Sequence, residues 1–108
     1  MADTLTELEQ LVLLAVLHIG EDAYGGAVQD LLAARADRQV TLGSLYNTLG
    51  RLEERGLAES ELGDPTPVRG GKAKRLYRVT EEGREALADA RAVWERMWAG
   101  LPAAGESG

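Results

Sequence analysis

Ser44, Asn47, Thr48 and Arg51 stand at i, i+3, i+4 and i+7, one contiguous line along a helix. Short hydroxyls and N-terminal backbone amides hold phosphates, whereas an amide and a guanidinium further along match the base edges of adenine and guanine. Thr41 and Gly43 open the same segment, and Gly43 carries no side chain to keep another backbone away. Tyr46 falls beside an apolar stripe, so its ring can pack while its hydroxyl reaches solvent or a phosphate. A second such stretch, Arg69 to Arg78, holds Arg69, Lys72, Lys74, Arg75 and Arg78 without a single acid. The chemistry implied is recognition of double-stranded DNA. The candidate contacts are Thr41, Gly43, Ser44, Tyr46, Asn47, Thr48, Arg51, Lys72, Lys74 and Arg75.

The chain of 108 residues has a net charge of −6, which by itself argues against a polyanionic partner. The distribution reverses that argument. Residues 1–40 carry seven acids against two bases, and residues 41–83 balance at seven each. A basic stripe on an acidic body makes a directional field, and binding follows the local field.

Other chemistries fall away. Cysteine is absent, which removes disulfides, thiolate zinc sites and cysteine nucleophiles. The lone histidine, His18, is read as a capping or core residue near a helix end. Glu61 and Asp64 lack a histidine partner, and Gly70-Gly71 is too short for a phosphate loop, so neither an enzyme nor a cofactor or metal is expected. The longest apolar run, Leu11 to Leu17, is too short to span a bilayer and follows acidic residues. A cytoplasmic protein without a membrane partner is the expectation.

The elements that must position these groups can be read in order. Thr4 with Glu7, or Thr6 with Glu9, forms a capping box that starts a first helix, and Gly20 stops it. A second helix is predicted over Tyr24 to Ala36, with Asp37-Arg38-Gln39 as a short turn. A third runs from about Thr41 to Gly56, with Leu42, Leu45, Leu49 and Leu52 as its apolar stripe and Arg55 offsetting the helix dipole. Two helices joined by so short a turn make a helix-turn-helix. Leu57–Leu62 and Ala73–Val79 read as strands around a turn-rich, basic tip, which makes the hairpin a wing. Thr80 then caps a last helix to about Leu101. The fold class is therefore mainly α with a small β-hairpin: residues 1–80 a winged helix-turn-helix, 81–101 a C-terminal dimerisation helix, 102–108 a tail.

On that last helix Leu87, Ala90, Trp94, Met97 and Leu101 repeat at three and four, a heptad-like seam widened by Val93 and Trp98. One helix after a complete small domain cannot bury such a seam on its own chain, and a second copy would. The candidate dimer interface is Leu8, Val12, Leu87, Ala90, Trp94, Met97 and Leu101. Trp94 and Trp98, one turn apart, are also a candidate site for a small planar hydrophobic effector.

Leu45-Tyr46-Asn47-Thr48-Leu49-Gly50-Arg51-Leu52-Glu53-Glu54-Arg55-Gly56-Leu57 resembles the recognition-helix segment of the PadR family of bacterial transcription regulators. Tyr24-Gly25, the run from Arg69 to Thr80, and Glu82-Gly83-Arg84 resemble it too, so the likeness covers about residues 5–90. It implies a winged helix-turn-helix homodimer on a roughly palindromic operator, usually a repressor. The single C-terminal helix is similar to the small subgroup that includes multidrug-responsive members. Asn47 and Gly50 depart from the commoner pattern. The competing reading is a winged helix that binds protein without DNA.

Overall fold

The computed structural model describes residues 4–63 and 74–102. Three helices come first: α1 (Glu7–Ile19), α2 (Gly25–Ala36) and α3 (Leu42–Glu54), with a single 3-10 turn at Gly20–Asp22. Strands β1 (Ala58–Leu62) and β2 (Arg75–Val79) pair antiparallel, and α4 (Glu81–Trp98) follows. This is the expected mainly helical architecture with one hairpin. Among the described residues no helix is long and apolar enough to cross a membrane.

Local chemistry starts each helix. Of the two possible capping boxes, Thr6 with Glu9 is the one formed: Glu9 N–H donates to the Thr6 hydroxyl at 3.1 Å, and Thr6 N–H to Glu9 Oε1 at 2.8 Å. Thr41 caps α3 by accepting from Ser44 N–H at 3.1 Å, and Thr80 caps α4 by accepting from Gly83 N–H at 3.0 Å. Asp37 ends α2 in the left-handed region at φ 54°, where a short polar side chain is tolerated better than most. α4 ends at Trp98, earlier than the sequence suggests, because Gly100 turns the chain at φ 85°; Leu101 is therefore off the helix.

The periodicities then close one core. Val12, Leu13 and Val16 of α1 meet Val28 and Leu32 of α2 and Leu45, Leu49 and Leu52 of α3. From the hairpin Tyr77 and Val79, on one face of β2, join them with Leu57 and Ala58. Val12 is fully buried within its own chain, so it has no surface to offer a second copy, and its assignment to a dimer interface is wrong. Leu8 is half-buried and packed on the same core.

The hairpin is fixed at its base. Ser60 pairs with Tyr77 and Leu62 with Arg75 in register. Tyr77 N–H donates to Ala23 O at 2.8 Å, and Tyr24 adds an isolated antiparallel bridge to Leu76. The wing is thus tied to the start of the helix-turn-helix. Its tip, including Arg69 and Lys72, lies outside the described residues. At the other end Gly83, buried, seats α4 on Leu57 and Val79. Only the first half of α4 uses that seat: Ala86 and Leu87 pack on the core, while Val93, Trp94, Met97 and Trp98 are exposed.

Candidate nucleic-acid interface

Because Leu45, Thr48, Leu49 and Leu52 are the buried side of α3, its opposite side is presented outward. Thr41, Gly43, Ser44 and Asn47 are exposed there, and Arg51 is more than half exposed. Nothing lies within 4 Å of where a Cβ would sit at Gly43 or Gly50, so that side is open. Thr48 does not belong to it. At 1% exposure its hydroxyl donates to Ser44 O at 2.9 Å, inside the helix turn, and it cannot reach a groove. Spacing put Thr48 in line with Ser44 and Arg51, but the buried arc of α3 extends round to it.

Tyr46 is half exposed and leans on the start of α2. A Cβ at Gly25 would come 2.6 Å from Tyr46 Cζ, which is why glycine stands there. The hydroxyl end of the ring is the part set against Gly25, while the side chain as a whole stays 46% exposed.

The guanidinium of Arg51 is steered by two neighbours. Its Nη2 donates to the Thr48 hydroxyl at 3.3 Å, and its Nε lies 3.9 Å from Glu9 Oε2. Glu9, only 4% exposed, is chiefly the partner of Arg55, whose Nη1 reaches both carboxylate oxygens at 3.1 and 3.2 Å. Arg55 Nη2 also donates to Thr4 O at 3.1 Å. Burial pushes the Glu9 carboxyl up, but the Thr6 N–H, the Arg55 guanidinium and the Thr6 hydroxyl outweigh it and leave it below its ordinary value. Arg55 therefore does more than offset a helix dipole: it clamps the end of α3 to the start of α1. No local pattern announces a pair 46 residues apart.

A second polar chain joins α3 to the hairpin. Ser60 Oγ donates to Glu53 Oε2 at 2.8 Å, and Arg75 Nη1 donates to Ser60 Oγ at 3.0 Å. Burial and the neighbouring Glu53 raise the Tyr77 hydroxyl above its ordinary value, so it stays neutral beside this chain. Lys74 Nζ sits 3.9 Å from the Tyr24 ring centroid. Lys74 and Arg75 thus stand at the root of the wing, Lys74 held over the Tyr24 ring and Arg75 bonded to Ser60. Lys72 lies outside the described residues.

For the dimer set, Leu87 and Ala90 are half-buried, while Trp94 is 59% and Met97 70% exposed. Trp98 and Leu101 are likewise open. A cavity of about 680 Å³ between α1, the hairpin and α4 is lined by Leu17, Glu21, Leu76, Tyr77 and Arg84, among others, and by neither tryptophan. Among the described residues both indoles stand more than half exposed. His18 is exposed in the last turn of α1 rather than in the core, a position that suits a cation.

Comparison with known proteins points one way. The transcriptional regulator PadR-like family matches residues 13–89. The transcriptional regulator Rv3488 of Mycobacterium tuberculosis is 38% identical over 80 residues, covering 74% of this chain and 71% of that protein. Among solved structures, a PadR family transcriptional regulator from Eggerthella lenta is 32% identical with a TM-score of 0.66, covering 84% of this chain and 79% of that one. A PadR-like transcription factor from Bacteroides fragilis is 27% identical with a TM-score of 0.68, covering 83% and 82%.

Proposed function

The chain belongs to the transcriptional regulator PadR-like family and so is a DNA-binding regulator, not an enzyme; on that premise we propose that it is a sequence-specific homodimeric repressor released by a small planar molecule. The observation that carries the reading is the outward side of α3, which exposes Ser44, Asn47 and the more than half-exposed Arg51, together with the exposed wing-root cations Lys74 and Arg75. Asn47 and Arg51 would read base edges, while Ser44, the α3 amides and the wing cations would hold phosphates.

The dimer follows from α4. Trp94, Met97 and Trp98 form an apolar face that one chain leaves in water, and a two-fold copy of the same face would cover it. Residues 81–101 would then be the dimerisation segment of a reading head formed by residues 1–80. Four indoles around one axis would also offer flat surface to a planar compound, drawn the more if cationic by the acidic body.

The test is enrichment of duplexes from a random DNA library by the full chain. Light scattering would then be run on the complex. A two-fold symmetric site occupied by two copies is expected. An asymmetric site bound by one copy would remove the dimer, and no enrichment would remove the regulator. A planar cation should quench the tryptophans and weaken that complex together, since linkage requires both.

A further inference from the structure

The sequence places Leu42 on the inward stripe of α3, yet the structure leaves it 44% exposed and outside the set of side chains packed on the core. It stands in the first helical turn, between Val40, which packs on the core, and the fully buried Leu45. Its neighbours are polar or bare: the Thr41 cap, Gly43 with nothing within 4 Å of its Cβ position, and exposed Ser44. Tyr46, one turn on, is turned toward Gly25 of α2 and leaves the tip to Leu42. Leu42 is thus the one aliphatic side chain of α3 that is both large and exposed.

We propose that Leu42 is a specificity-determining residue that reads thymine by its 5-methyl group. The inference rests on the reading of α3 as the helix that enters the major groove. In that groove every base edge offers hydrogen-bond donors or acceptors, and the thymine methyl is the one apolar feature. A leucine at the leading turn has no hydrogen bond to give, so water-free contact with that methyl is the interaction it can make. The bare Gly43 beside it lets the first turn approach the base edges closely enough for an isobutyl group to touch.

The experiment uses the duplex that the full chain enriches from a random library. Each thymine in turn is replaced by deoxyuridine, which keeps base pairing and deletes only the methyl. The wild type should bind about fourfold more weakly at one or two positions, the value of one buried methyl-sized group. Leu42→Ala should keep the wild-type melting temperature, because the residue is exposed, and should be indifferent to uridine at those positions. An enriched duplex in which no thymine methyl matters would overturn the inference alone. So would a Leu42→Ala protein that keeps the full thymine preference. Failure to enrich any duplex would overturn the regulator reading first, and this inference with it.

Discussion

Alanine at Gly83 and at Gly50, both inside helices, should move stability in opposite directions. At Gly83 a Cβ would fall on the Leu57 carbonyl oxygen, 2.7 Å from Val79 Cγ1 and 3.1 Å from the Leu57 carbonyl carbon. That carbonyl also accepts from Thr80 N–H at 3.1 Å, so it cannot retreat without loosening the α4 cap. Overpacking against a core costs about 1–3 kcal/mol, and rigid backbone places this site near the upper figure. The helix gains about 1 kcal/mol from glycine to alanine, which leaves a net loss of about 2 kcal/mol. For a domain of this size that lowers the melting temperature by roughly 8–16 °C. At Gly50 nothing lies within 4 Å, so only the gain survives and the melting temperature should rise by roughly 4–8 °C. Thermal unfolding followed by circular dichroism, at one fixed protein concentration, reads both. Gly83→Ala as stable as Gly50→Ala would refute the close seating of α4 on the α3–β1 corner.

Three further outcomes are expected. Glu9→Gln removes the charge that pairs with Arg55 and should cost about 2 kcal/mol, less than a fully buried pair because Arg55 is 27% exposed. Since folding holds the Glu9 carboxyl below 4.5, its contribution is complete above that value and is lost as pH falls through the lowered one. The difference in melting temperature between wild type and Glu9→Gln should therefore shrink in acid, and a gap that widens would contradict the pairing. Lys74→Ala with Arg75→Ala should lower the slope of log affinity against log salt by up to about 1.8 per subunit, read by fluorescence anisotropy across a salt series. Trp94→Asp with Met97→Asp should give a folded monomer by light scattering, since both side chains are exposed within one chain.

Much of the fold is legible in the sequence, because helices and strands announce themselves by local period and local caps. The Leu45, Leu49 and Leu52 stripe, the Thr41 and Thr80 caps, and the Tyr77–Val79 alternation all act within a few residues. Those signals fail where a position depends on how far the packed surface extends. Thr48 sits on the same helical line as Arg51 and is buried; Leu42 sits on the stripe and is exposed. Val12 fits an amphipathic interface pattern yet is consumed by the chain's own core. Pairs distant in the chain leave no trace in spacing at all, and Glu9 with Arg55, or Lys74 over Tyr24, appear only once the helices are packed.

If the outward side of α3 chooses the DNA sequence, affinities of wild type, Ser44→Ala, Asn47→Ala and Arg51→Ala for the enriched duplex, for each of its single-base variants and for an unrelated duplex will show it. Asn47→Ala and Arg51→Ala should each lose about 1–3 kcal/mol on the enriched duplex, with preference flattened at particular base pairs and binding to the unrelated duplex retained. Ser44→Ala should weaken every duplex about equally, as loss of a phosphate contact does. If Asn47→Ala and Arg51→Ala also weaken every duplex equally and leave the order of preference intact, α3 grips the backbone and the sequence is chosen elsewhere.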